Sequence, residues 1–143
     1  MARRTESKFN EIVYKRLNQS NTSRYPISVS RLVKIANTEE KRTKILVCVT
    51  NVLNDERLLV VPKMRVCALK FTDSVRARIV GAGGECMTFD QLAKIAPKGE
   101  NTILLRGGHR RETLKHHGSA GMDGAKPYVK GSHEDKKKIR IRS

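Results

Sequence analysis

The sequence has no tryptophan and only three phenylalanines and three tyrosines in 143 residues. Readers of single-stranded RNA stack bases on exposed aromatic rings. Phe9, Phe71 and Phe89 fall at expected core positions, which leaves no such platform. Cysteine is equally sparse. Cys48, Cys67 and Cys86 form no Cys-x-x-Cys pair, and an odd number closes no disulfide set. Each sits in an apolar, strand-like run, so all three are expected to be reduced core thiols. Long apolar runs are missing too. Ile45–Val49 and Leu58–Pro62 are five residues each, whereas a membrane-spanning helix needs about 20. Glu6 and Glu11 speak against reading the start as an amphipathic presequence, since presequences avoid acids. The four histidines, His109, His116, His117 and His133, have no cysteines at ligand spacing, so no metal or other cofactor is expected. Gly81-Ala-Gly-Gly84 lacks the Gly-Lys-Ser/Thr that completes a phosphate loop and reads as a helix stop. With no nucleophile elbow, metalloprotease helix or close acid pair, no catalytic set emerges and the chain is expected not to be an enzyme. No zinc-finger spacing and no heptad with a basic region suggests major-groove DNA reading.

What the chain has is positive charge. Thirty Lys and Arg face 14 Asp and Glu, a net +16. Residues 1–24 carry +4, residues 25–105 +5 and residues 106–143 +7. Charge of this density repels itself when compact and favours a polyanion. Arg and Lys engage phosphate through charge and, for Arg, fixed fork geometry. Glycines at 107, 108, 118, 121, 124 and 131 let backbone approach a sugar-phosphate closely. Tyr128, beside Pro127, suits either stacking on a base or ribose or packing on the proline. These features fit shape and phosphate recognition of folded RNA. A DNA- or chromatin-binding accessory role is the alternative.

Local patterns predict alternating elements. Residues 5–19 read as a helix capped by Thr5 or Ser7, with Phe9, Ile12, Val13 and Leu17 on one face. Lys8 and Lys15 lie opposite. Arg16 breaks into the apolar stripe, either snorkelling outward or reaching a phosphate at the rim of the core. A polar loop, 18–26, leads to a second helix from a Ser28 cap to about Ala36, with Arg31 and Lys34 pointing away. Lys44–Val52 is a β-branched strand. Asn54-Asp55 turns the chain and Leu58–Val61 returns, which predicts a hairpin whose second strand Pro62 ends. Val66–Phe71 is a third strand, followed by a helix from Asp73 or Ser74 through Val80. Glu85–Met87 is a short strand. Thr88-Phe-Asp-Gln91 is a capping box opening a helix to about Ala96. Thr102–Leu105 is the last strand. The segment Arg110–His117 can form a short helix, and Lys136–Ser143 is a charged tail. Ordering that tail costs about 1–2 kcal/mol per residue in backbone entropy, with little burial to offset it.

Ordered motifs carry a resemblance. They are Ala2-Arg-Arg-Thr-x-Ser-x-Phe-Asn10, Lys15-Arg-Leu17, Pro26-x-Ser-x-Ser-Arg31, Val61-Pro-Lys63 and Val66-Cys-Ala-Leu69. Ala82-Gly-Gly84, Met87–Ala93, Pro97-Lys-Gly99, His117-Gly118 and Lys126-Pro-Tyr-Val129 follow. In this order the series resembles the eukaryotic and archaeal family of large-subunit ribosomal protein eighteen, a relative of bacterial large-subunit protein fifteen. Family members usually carry a further basic arm ahead of the Ala-Arg-Arg-Thr segment, and this sequence starts there. Relatives also tend to have histidines where Gly121–Ala125 stands. The resemblance implies an α/β fold of irregular strand-strand-helix turns among ribosomal RNA helices, with Arg3, Arg4, Lys15, Arg16, Arg31, Lys126 and Tyr128 as RNA contacts.

The combined expectation is one small α/β domain in three stretches: a basic helical segment 1–37, an α/β core 38–108 and an extended basic RNA-binding tail 109–143. Lys8, Arg24, Arg106, His109, Arg110, Arg111, Lys115, Lys130, Lys136, Lys137, Lys138, Arg140 and Arg142 complete the expected RNA-binding set. Expected partners are large-subunit ribosomal RNA and neighbouring ribosomal proteins, with no membrane and no small-molecule substrate. The expected location is the cytoplasmic ribosome, with assembly in the nucleus or nucleolus.

Overall fold

Ile45 to Thr50 are all buried, although side chains on a strand alternate between faces. Only a strand covered on both sides satisfies that pattern, and such strands sit at the centre of parallel sheets. The computed structural model, which describes residues 2–108, has this arrangement. Strands β1 (Ile27–Ser28), β2 (Ile45–Leu53), β3 (Arg65–Phe71), β4 (Glu85–Met87) and β5 (Thr102–Leu105) form one sheet in which every pairing is parallel. The path runs β1-β2-β3-β4, and β5 also pairs with β2. Ile45–Cys48 pair with Thr102–Leu105, and Val52–Leu53 pair with Ile27–Ser28. Strands β5 and β1 therefore lie end to end along one edge of β2, with Val49–Asn51 at the seam.

Helices cover both faces. On one, α3 (Val29–Ala36) and α5 (Asp73–Gly81) bring Leu32, Val75 and Ile79 against Leu46, Cys48 and Val66. On the other, α6 (Phe89–Ile95) brings Leu92 against Ile45, Val47 and Cys67, and Phe9 of α2 (Lys8–Leu17) packs there too. This is a three-layer α/β domain. Each fully buried Leu or Ile contributes roughly 1.5–3 kcal/mol relative to exposure. Among the described residues, no helix is long and apolar enough to cross a membrane.

The predicted hairpin does not form. Both edges of β2 are taken by parallel partners, so no edge is left for a returning strand. Pro62 has no N–H to donate. Arg78 of α5 gathers the connection instead. Its Nη1 donates to Asn54 Oδ1 (2.7 Å) and Asp55 O (2.9 Å), and its Nη2 donates to Leu58 O. Ser30 donates to Asp55 Oδ2 (2.6 Å), so the loop is also tied to α3. That bond and the Arg57 backbone N–H hold the Asp55 carboxyl below the usual carboxylate range.

The first predicted helix is broken. Glu6 has φ 48° and separates α1 (Ala2–Thr5) from α2. Ser7 holds the N-cap position, but its hydroxyl donates to Lys98 O (2.8 Å), and Asn10 Nδ2 donates to Pro97 O (2.7 Å). These bonds dock α2 on the turn at 97–99. Gly99, with φ +85°, lets the Phe9 ring sit against it, where a Cβ would collide with that ring. A short helix, α4 (Glu39–Arg42), occupies part of the expected polar connection. The capping box forms as expected, with Thr88 N donating to Gln91 Oε1 (2.9 Å) and Gln91 N to Thr88 Oγ1 (3.5 Å). Helix α5 ends with Gly84 N donating to Ile79 O and Gly83 N to Val80 O, both 2.9 Å, a closure in which two orphan carbonyls are satisfied.

Candidate nucleic-acid interface

The seam between β5 and β1 needs groups to replace a ladder that neither strand continues. Thr50 is the one buried polar side chain of the described core. Its hydroxyl donates to Tyr25 O (2.8 Å) and sits 3.3 Å from Arg24 O, pinning the approach to β1. Arg16 reaches from α2 to the other side of the seam, where Nη1 donates to Leu105 O (2.8 Å). Arg16 is half-buried and makes an internal contact that neither expectation for it, outward snorkelling or a phosphate contact, included: it caps the end of β5. The chain leaving β5 turns close by, because Gly107 packs on the carbonyls of Tyr25 and Pro26 where a Cβ has no room.

Three guanidinium groups meet there. Arg24 Nη2 donates to Asn21 Oδ1 (2.9 Å), while its Nε is buried without a hydrogen-bond partner. The Arg106 guanidinium lies 5.8 Å from the centroid of the Tyr25 ring, a cation–π distance, and its Nη2 is 3.4 Å from Ser23 O. Burial, and next the charge of Arg106, pull the Arg16 pKa down from its ordinary value; the nearby Cys48 thiol opposes this, and among the described residues no carboxylate contributes. Arg16, Arg24 and Arg106 surround a cavity of about 10 Å³ with Tyr25 and Thr50 in its wall. A space of that size holds at most a water-sized group. The chemistry is therefore at the rim, where cations clustered with no acid of the described residues among them are stabilised by an incoming anion.

The other expected contacts fall as follows. Arg3 and Arg4 are exposed on α1, and Lys8 and Lys15 on α2. Arg3 and Arg4 line a groove of about 670 Å³ that also contains Glu6, Glu11 and Tyr14, whose two acids oppose a phosphate. Arg31 is exposed on α3, its Nη1 3.2 Å from where a Cβ on Gly108 would stand. His109, Arg110, Arg111, Lys115, Lys126, Tyr128, Lys130, Lys136, Lys137, Lys138, Arg140 and Arg142 lie outside the described residues, as does the predicted helix Arg110–His117. Among the described residues, no group of three or more His, Cys, Asp or Glu is arranged to hold a metal.

Sequence reasoning missed Tyr25 and Thr50. Tyr25 carried no signal within a polar loop. Thr50, a polar residue ending the buried run Ile45–Val49, was the available hint.

The family model described as ribosomal protein 60S L18 and 50S L18e matches residues 1–143. The chain is similar to the large ribosomal subunit protein eL18 of Tetrahymena thermophila, 50% identical over 133 residues, covering 93% of this chain and 70% of that protein. The protein of the same name from Dictyostelium discoideum is 51% identical over 134 residues, 91% of this chain and 74% of its own length. That of Trypanosoma cruzi is 45% identical over 151 aligned residues, 99% of this chain and 78% of its own.

Proposed function

From the premise that the chain belongs to the family of ribosomal protein 60S L18 and 50S L18e, we propose that it is a structural constituent of the large ribosomal subunit that binds and stabilises folded ribosomal RNA. It is not an enzyme. It works in the cytoplasmic ribosome, in contact with RNA and other ribosomal proteins. Its place of assembly is the nucleus or nucleolus. The three stretches 1–37, 38–108 and 109–143 divide the work: a basic helical segment, an α/β scaffold and a basic RNA-binding tail.

One observation supports the RNA reading most: Arg16, Arg24 and Arg106 converge on the β5/β1 seam with no carboxylate of the described residues among the charges acting on Arg16. A phosphate accepts from such forks with charge-assisted hydrogen bonds, worth roughly twice neutral ones. Arg3, Arg4, Lys8, Lys15 and Arg31 are exposed cations, and they and the expected contacts from His109 to Arg142 are further candidates for RNA contact. No observation favours a DNA- or chromatin-binding role.

Sucrose-gradient sedimentation tests the reading. The protein should travel with large subunits at low salt, leave them only at high salt, and be freed by RNase but not by DNase. A protein that sediments alone at low salt would overturn it.

A further inference from the structure

A second basic cleft lies at the start of the sheet. Arg42, Thr43, Lys63, Met64 and Arg65 line a concavity of about 360 Å³ where β2 and β3 begin. None of these three cations belongs to the set expected from sequence. Arg65 Nη2 donates to Thr43 O (2.6 Å), which holds that guanidinium across the cleft. Arg42 and Lys63 are exposed, and Arg42 makes a long contact, 3.3 Å, with Asn37 Oδ1. Met64 is buried at the floor, and its carbonyl accepts from Glu85 N (3.0 Å), so the backbone carrying Lys63 and Arg65 is fixed. Glu85 on β4 stands beside Arg65 in the strand register, and Glu40 lies on α4; neither lines the cleft.

The cleft is well separated from the seam. Arg65 pairs with Ile45, whereas the seam lies at Val49–Thr50 and on the opposite edge of β2. At about 3.3 Å per residue along a strand and 4.8 Å between strands, the separation is on the order of 15 Å. One phosphate cannot serve both places.

We infer that Arg42, Lys63 and Arg65 form a second RNA-phosphate site, so that the rigid sheet clamps two separate backbone segments of ribosomal RNA. This rests on the RNA reading above. A bridge of this kind uses the fold: β2 and β3 fix the spacing of the two cationic feet.

The test is binding of the full chain to large-subunit ribosomal RNA across a salt series. Arg42→Ala/Lys63→Ala leaves the Arg65–Thr43 bond in place, and unchanged circular dichroism verifies folding. Loss of two phosphate contacts should reduce the steepness of log K against log salt by about 1.4–1.8. Lys63→Glu alone should weaken binding further than Lys63→Ala. A photo-crosslinker at position 63 should label RNA nucleotides distinct from those labelled at position 106. An unchanged salt slope, or crosslinks from position 63 to protein alone, would overturn the second site while leaving the first reading intact. Failure of the unaltered chain to bind the RNA would instead remove the reading on which it rests.

Discussion

Thr50 is the residue on which the seam depends. Its buried hydroxyl donates to the carbonyl of half-buried Tyr25. Thr50→Val preserves shape but removes the donor, and loss of one hydrogen bond costs about 0.5–1.5 kcal/mol. Urea denaturation should show a loss in that range, and a midpoint equal to the parent's would refute the role. The cysteines give a second residue-scale expectation. Burial pushes the Cys48 and Cys67 thiols up to about 12 from an ordinary value near 9. In the unfolded chain they ionise earlier, so between these values the unfolded state binds fewer protons than the folded one. Their contribution is fully present below pH ~9 and is lost as pH rises towards 12, at most about 1.4 kcal/mol per pH unit for each thiol. Stability measured from pH 8 to 11 should fall less steeply in Cys48→Ala/Cys67→Ala than in the parent, and parallel curves would contradict this assignment.

The elements show which sequence signals carry. Helix α3, the capping box at Thr88 and Gln91, and strand β3 were legible because their cues lie within a few residues. The hairpin was misread because the partners of β2 are remote: Ile27–Ser28, Arg65–Phe71 and Thr102–Leu105. Apolar alternation reports burial and not the partner. The same distance hid the site. Arg16, Arg24 and Arg106 were each recognisable as basic, but nothing local places them around Tyr25, and Arg78 is indistinguishable in sequence from a phosphate contact although it holds the 54–59 loop. Arg78→Met keeps much of the aliphatic stem and removes the donors. With hydrogen bonds to charged groups worth about 1.5–3 kcal/mol each and the site only half-buried, an overall loss of about 2–3 kcal/mol is expected. Limited proteolysis should then cut near Leu59, which is 91% exposed. Unaltered protease resistance would show that the loop is held by other contacts.

For the whole molecule, net charge of +16 sets the salt response. Neutralising about ten phosphates gives a log–log slope of about −7 to −9. Lys136→Ala/Lys137→Ala/Lys138→Ala should make that slope shallower by about 2–3, and an unchanged slope would exclude the tail from the contact surface. The division of one β2 edge between the last strand and the first reaches further, into synthesis. A chain emerging from its N-terminus can pair β2 with β1 and β3 early, but Ile45–Cys48 must wait for Thr102–Leu105. Until then an apolar, β-branched ribbon has open amides and carbonyls, the kind of edge that recruits other chains. Nascent chains stalled before Thr102 should therefore self-associate or require a holdase, whereas chains released beyond Gly108 close their own sheet.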